Sequence, residues 1–383
     1  MMRLTQLLRS VLAPGEAPGA GRPGTGAPVV IWNLLRRCNL TCGFCYSGST
    51  DAHFPGELST PEILRGLDDL RRFGVTTLVL SGGEPLLHPD LPVIAAHAKV
   101  LGFFVSLSTN GTLIDAACAA RLAESRYDHV GISLDGLATT HDHVRGKDGA
   151  FAASLAGLRH CRDVGLKVGV RFTLTRDNQG DLPALLALTE REGVSRFYLS
   201  HLNYAGRGGR NREADAWHAA TRAVMVLLFE TALADLAAGR PREIVTGNND
   251  ADGVFLLHWV RARFPERAEA LENRLRRWGG NASGTGIANI DSQGRVHPDS
   301  MMGFLTLGSI RERRFSALWQ DEDGQPELAR LRQRPRPVTG RCAVCRYLAL
   351  CNGNTRTRAW RSSGDLWGED PGCYLTDAET RES

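Results

Sequence analysis

Six short apolar segments, at residues 29–34, 75–80, 103–108, 130–134, 167–174 and 196–200, punctuate the first half of this chain. Helical patterns occupy 61–73, 91–101, 115–125, 151–164 and 182–192 between them. The first helix opens on Ser59, Thr60, Pro61 and Glu62 and stops at Gly74, and Gly102, Gly165 and Gly193 end three others. Repeated βα units with apolar strands imply a parallel sheet, because a crossover about as long as a helix is needed to return the chain to the same end. An open doubly wound sheet and a partial barrel both satisfy this pattern. The strand ends separate the two, since in a parallel barrel the chemistry gathers at the carboxyl ends. CNLTCGFCY at 38–46 follows the first strand, SGGEP at 81–85 the second and STNG at 108–111 the third. Ser133 and Asp135-Gly136 close the fourth, Thr173 and Thr175 the fifth, and His201, Asn203 and Tyr204 the sixth. One rim collects them all, so the expected fold class is α/β, a partial (β/α)6 TIM-like barrel.

Cys38, Cys42 and Cys45 are spaced C-x3-C-x2-C. Three thiolates so close together can hold three corners of an iron-sulfur cube and leave one iron without a protein ligand. A structural zinc site needs a fourth nearby Cys or His, usually in paired C-x2-C form. Seven of the nine cysteines fall in two tight groups, the second being Cys342, Cys345, Cys351 and Cys373. Such usage points away from a secreted disulfide framework and towards a cytoplasmic, oxygen-sensitive protein. Cys118 and Cys161 lie on helical patterns and are expected as small core residues. A formal net charge of +4 over 383 residues does not argue for nucleic acid. No apolar run reaches about 18 residues, so no membrane span is expected.

Residues 1–13 carry Leu4, Leu7, Leu8, Val11 and Leu12 at helical spacing, and 14–28 read as a Pro/Gly/Ala linker. A docking helix on a mobile linker is expected over 1–28, rather than a signal peptide with its continuous apolar core. The barrel is expected over 29–240 and a cysteine-rich extension over 241–383. Within the latter part of the chain, helical patterns run over about 214–238 and 254–278, and 287–296 reads as a hairpin turned by Asp291-Ser292-Gln293-Gly294. Metal, rather than core burial, is expected to order the last forty or so residues.

CNLTCGFC with Phe44 before its third cysteine, then GGEP, STNG and SLDG in that order, resembles the radical S-adenosylmethionine (SAM) superfamily. The resemblance implies that Cys38, Cys42 and Cys45 ligate a 4Fe-4S cluster whose open iron chelates SAM. It also implies that Phe44, Gly82, Gly83, Glu84, Ser108, Asn110, Ser133, Asp135 and Arg145 surround the cofactor. Gly82 and Gly83 are expected to let the backbone approach the methionyl amine, and Glu84 to accept from that ammonium. Ser108, Asn110, Ser133 and Asp135 are expected to face the ribose and methionyl groups, and Arg145 to pair with the methionyl carboxylate. The second cysteine group resembles the SPASM extension, which normally houses two auxiliary 4Fe-4S clusters. Here cysteines are missing at Asp299 and Thr355 and around Asn281, which removes the ligands of one auxiliary cluster, whereas Cys342, Cys345, Cys351 and Cys373 match the full set for the other. Two 4Fe-4S clusters are therefore implied in all, and a four-cysteine zinc knuckle is the other reading of the second group.

Further stretches, among them FPGELS, RFTLTRDN, FYLSHLNYAGRG, TGNNDADG, GGNASG and RCAVCRYLALCNGNTR, resemble the radical SAM proteins of haem d1 biosynthesis. That implies a tetrapyrrole substrate, 12,18-didecarboxysirohaem, from which a 5′-deoxyadenosyl radical takes hydrogen so that two propionates give way to oxo groups. A low-potential electron donor such as flavodoxin or ferredoxin is implied as well. A flat ring rimmed with carboxylates calls for aromatic and arginine side chains, and His201, Tyr204, Arg207, Arg210 and His297 are the candidate contacts. A haem-precursor decarboxylase and a peptide-modifying maturase are the alternatives within the superfamily. A two-cluster electron carrier is the alternative outside it, but has no need of GGEP, STNG and SLDG.

Overall fold

The computed structural model describes residues 1–12 and 26–381, so most of the expected linker lies outside the described residues. The strands are β1 (Met2–Arg3), β2 (Val29–Asn33), β3 (Thr77–Ser81), β4 (Phe104–Thr109), β5 (His129–Ser133), β6 (Val168–Leu174), β7 (Arg196–His201), β8 (Glu243–Gly247), β9 (Ile287–Ile290), β10 (Arg295–His297) and β11 (Gly308–Ser309). The helices that frame them are α1 (Leu4–Leu12), α2 (Thr60–Phe73), α3 (Leu91–Val100), α4 (Ala116–Glu124), α5 (Ala138–Arg145), α6 (Ala150–Asp163), α7 (Leu182–Arg191), α8 (Arg207–Arg210), α9 (His218–Ala237), α10 (Ala251–Arg263) and α11 (Ala268–Trp278). All eleven strands join one sheet in the order β1-β8-β7-β6-β5-β4-β3-β2-β9-β10-β11. Neighbours from β8 through to β9 are parallel and the pairs at either end antiparallel. The six expected strands are β2 to β7, and the sheet is mixed because segments outside them add to both edges.

In β2, β3, β4 and β7 buried positions alternate with less buried ones. Val30, Trp32, Leu78, Leu80, Val105, Leu107, Val130 and Ile132 are fully buried. The alternate positions carry Asn33, Ser106, Ser108, Ser133, Arg171 and Tyr198, a polar face around the cavities described below. Strands β2, β3, β4 and β7 thus alternate, rather than being apolar throughout, because one face packs on helices and the other serves the interior.

Local signals explain the helix ends. In α2 the Ser59 amide donates to Glu62 at 2.7 Å, and Gly74, at φ 99°, takes the left-handed conformation that ends the helix. Residues 254–278 form two helices, α10 and α11, because Pro265 lacks an amide and disfavours helical backbone at Phe264, which sits at φ −140°. Helix α5 was not expected, its sequence ATTHDHVR being polar and without apolar periodicity.

The N-terminal helix packs as part of the main body. Leu4, Leu8 and Val11 are buried, and β1 extends the sheet beyond β8. The expected boundary at residue 240 falls just ahead of β8, which pairs with β7, and the hairpin β9–β10 runs on from β2, so the sheet crosses that boundary. Cys118 and Cys161 are buried as expected. Among the described residues no helix is long and apolar enough to cross a membrane.

Candidate active site

The carboxyl ends of β2 to β8 converge on a cavity of about 140 Å³. Cys38, Cys42 and Cys45 line it, together with Phe44, Gly82, Gly83, Ser108, Asn110, Ser133, Arg145 and His201. Each sulfur has a polar neighbour: Asn110 Nδ2 lies 3.9 Å from Cys38, Arg145 3.5 Å from Cys42, and Ser47 Oγ 3.3 Å from Cys45. Burial pushes the Cys38 thiol up to about 12 and raises Cys42, for which Arg145 is the main opposing influence. Burial also raises Cys45, but hydrogen bonds from Ser47 and Ser49 and the charge of Arg207 outweigh it, leaving a net downward shift.

The cysteine loop is held from three sides. Gly83 N–H donates to Leu35 O at 2.7 Å and Glu84 N–H to Arg37 O at 2.9 Å, drawing the GGEP turn against the chain that enters the loop. Thr41 and Gly43 amides donate to the backbone of Arg145 and Val144 at the end of α5. Arg207 donates through Nε to Cys42 O at 2.7 Å and through Nη1 to Ser49 O at 2.8 Å, and Asn211 reaches Gly43 O at 2.7 Å.

Two residues expected at the cofactor do not line the cysteine cavity. Glu84 is fully buried and accepts from Thr109 Oγ1 at 2.7 Å, Asn110 N at 2.8 Å and Leu86 N at 3.1 Å; it ties the end of β3 to that of β4 and does not line the cavity. Asp135 lies behind Arg145, pairs with it and accepts from the Thr173 amide at 2.5 Å. A buried arginine needs such a counter-charge, which the carboxylate supplies. Arg145 itself lines the cavity, packs against the Phe44 ring at 5.5 Å and keeps a buried Nε without a partner. It belongs to the last turn of α5 rather than to a loop.

The five expected substrate contacts separate. His201 lines the cysteine cavity with Nε2 bonded to Asp252 at 3.0 Å and its ring stacked on Tyr374. His297 lines an adjoining cavity, its Nδ1 bonded to Leu305 O at 2.8 Å. Tyr204 points elsewhere and donates to Asp215 at 2.9 Å, Arg207 clamps the cysteine loop, and Arg210 is exposed, so none of these three faces either cavity. The sequence reading missed Arg171, Tyr198 and Asn248, which line the cysteine cavity, and left Asn203 without a role although both its buried side-chain polar atoms lack partners. An arginine in the middle of an otherwise apolar strand was the available signal for Arg171.

Cys342, Cys345, Cys351 and Cys373 line a separate cavity of about 200 Å³. Burial raises Cys342 and Cys351 and pushes Cys373 up to about 11. Among the described residues no three His, Cys, Asp or Glu side chains gather closely enough to hold a single metal ion. Asn281, Asp299 and Thr355, the positions where cysteines are missing, lie together on a third cavity with Asp250 and Ser283. Arg336 donates to Asn281 Oδ1 at 2.8 Å and Ser283 O at 2.9 Å, Asn281 donates to Asp250 at 2.9 Å, and Ser283 donates to Asp299. A polar network therefore joins Asn281 and Asp299, while Thr355 donates to Asn248 O at 3.0 Å.

The Radical SAM superfamily profile matches residues 32–188. Over 382 residues the chain is 52% identical to the Pre-heme d1 synthase of Dinoroseobacter shibae, covering 99% of this chain and 94% of that one. It is 41% identical to the Fe-coproporphyrin III synthase of Methanosarcina barkeri, covering 92% and 89%. The crystal structure of Streptococcus suis SuiB bound to S-adenosylmethionine superimposes with a TM-score of 0.69 at 17% identity, covering 91% of this chain and 78% of that one, a likeness of fold.

Proposed function

This chain belongs to the radical SAM superfamily, a family of enzymes that use SAM and a 4Fe-4S cluster, and from that premise we propose that it acts in haem d1 biosynthesis, replacing two propionates of 12,18-didecarboxysirohaem with oxo groups. The observation that carries this reading is the 52% identity to Pre-heme d1 synthase over nearly the whole chain, far beyond the span of the general family profile.

Cys38, Cys42 and Cys45 are the residues that would hold the SAM-binding cluster, and their shared cavity with a donor near every sulfur fits it. When bound, the cluster and SAM supply the one-electron, hydrogen-abstracting chemistry that amino-acid side chains lack. Arg145 offers its unpartnered Nε to a cofactor carboxylate while Asp135 fixes the guanidinium plane. Ser108, Asn110 and Ser133 present short polar groups to the cofactor, and Phe44 covers Arg145. The buried Glu84 holds two strand ends in register beneath the cofactor rather than touching it.

Cys342, Cys345, Cys351 and Cys373 would hold one auxiliary 4Fe-4S cluster, since all four thiols line one cavity and four thiolates are the ligand set of such a cube. The convergence of Asn281, Asp299 and Thr355 supports the reading that a second auxiliary site is replaced here by polar side chains. The electron donor is a low-potential flavodoxin or ferredoxin, and the protein works in the cytoplasm. The relationship to Fe-coproporphyrin III synthase favours one other reading, action on a different tetrapyrrole.

Anaerobic turnover with deuterium on the propionate methylenes of didecarboxysirohaem tests this. Deuterium should appear in 5′-deoxyadenosine, and the product mass should show the oxo groups. Formation of iron coproporphyrin III in place of an oxo product would move the assignment to the second reading.

A further inference from the structure

A cavity lined by no cysteine adjoins the cysteine cavity. Its volume, about 560 Å³, lies within the range of roughly 300–1,000 Å³ usual for small-molecule sites, whereas the cysteine cavity has about 140 Å³. Tyr46, Ser47 and Met301 line both, so the two share a wall beside Cys45.

Its arginines differ in what they already hold. Arg295 pairs with Asp291 at 2.7 Å, and His297 Nε2 lies 3.4 Å from the same carboxylate, so their polar groups are engaged within the protein. The guanidinium groups of Arg36 and Arg361 have no carboxylate partner among the described residues, although the Arg36 amide donates to Glu57 at 2.6 Å. Arg36 lies over the Phe54 ring at 4.5 Å and anchors its Nε on Ser47 O at 3.2 Å, at the shared wall. Arg361 lies over Phe304 at 5.8 Å, and Phe304 in turn stacks on Trp360 at 5.6 Å. A guanidinium held on an aromatic face is oriented in advance and keeps its donors free for a carboxylate.

We infer that this cavity seats the macrocycle, with Arg36 and Arg361 gripping carboxylates on its rim and one edge of the ring directed across the shared wall towards the cysteine cavity. The assignment rests on the tetrapyrrole reading and replaces Tyr204, Arg207 and Arg210 as substrate contacts.

Equilibrium binding of iron coproporphyrin III and of its uncharged tetramethyl ester to the cluster-loaded protein, followed by absorbance, provides the test. Arg361→Ala removes a guanidinium that makes no hydrogen bond among the described residues, and Arg36→Gln keeps a donor for Ser47 O. Each should weaken binding of the acid about tenfold, the usual scale for a hydrogen bond to a charged group, and leave the ester unchanged. Arg361→Lys, which retains charge but loses the planar fork, should fall between wild type and Arg361→Ala. If wild type binds the acid and the variants bind it equally well, the groove assignment fails and the proposed function stands. Equal losses for acid and ester in every variant also overturn it, because they report a change of shape rather than a lost charge contact. If wild type binds neither this acid nor 12,18-didecarboxysirohaem, the tetrapyrrole reading itself fails.

Discussion

Gly83 shows how little freedom the cysteine loop has. A Cβ added there would overlap the backbone oxygens of Arg36 and Arg37, and one added at Gly82, whose φ is 156°, would sit 2.6 Å from Leu35 O. The two glycines therefore let the GGEP turn lie against the chain that enters the cysteine loop, and both also line the cysteine cavity. Because the obstructing atoms are backbone, no rotamer change relieves the clash. Gly83→Ala should leave the helices folded by circular dichroism and lose most of the iron held by Cys38, Cys42 and Cys45, measured on a variant lacking the C-terminal cysteines; full iron retention would refute it. Glu84 and Asp135 teach the same lesson. Their motifs were legible, but each carboxylate serves a neighbouring protein group, a fact that depends on which residues the fold brings beside it.

Helix α5 connects the chemistry to stability. Its His141 accepts from the Asp135 amide through Nδ1 at 3.0 Å and has a buried Nε2 without a partner. Burial, reinforced by the charge of Arg145, lowers its pKa from 6.5 to about 3, and burial with the charges of Arg196, Arg171 and Lys167 does the same to His129 on β5. The unfolded chain takes up these protons below about pH 6.5 while the folded one does not. Their stabilising contribution is therefore complete above that pH and is lost as the pH falls towards about 3, with a limiting slope of about 1.4 kcal/mol per pH unit for each histidine. Urea unfolding between pH 7.5 and 5 should show this decline, and His141→Gln should make it shallower; a variant with the wild-type slope would remove His141 from the account. Since ATTHDHVR has no apolar stripe, its helix could not be read from periodicity and is held by what surrounds it, the cysteine loop on one side and Asp135 on the other.

Across the whole molecule, the C-terminal segment is fastened to the barrel by buried polar contacts. Arg358 pairs with Asp370 at 2.7 Å and donates to Leu202 O at 3.0 Å, Asn354 donates to Asn249 at 2.7 Å, and Tyr374 donates to Asp252, which also meets His201. The expectation that metal alone orders this tail is thus too narrow, because full burial of Arg358 and Asp370 requires the packing that surrounds them. Replacing Cys342, Cys345, Cys351 and Cys373 together by Ala should lower the reconstituted content from about eight irons per chain to about four, one cube being lost and one kept. The tail should remain docked, as judged by its resistance to proteolysis. An unchanged iron count, or zinc in place of iron, would exclude the auxiliary cluster.

By itself, the sequence determined the parallel βα core, the two cysteine groups and the family, because each of these rests on local spacing: apolar alternation, glycine stops and thiols a few residues apart. Tertiary structure decided that β8 and the hairpin β9–β10 extend the sheet, that Glu84 and Asp135 face protein groups, and that Arg36 and Arg361 rather than Tyr204, Arg207 and Arg210 stand at an open cavity. The physical reason is that a charged side chain's role depends on the partner it meets. Arg207 finds carbonyls of the cysteine loop and Arg295 finds Asp291, whereas the guanidinium groups of Arg36 and Arg361 find aromatic faces and, among the described residues, no acid.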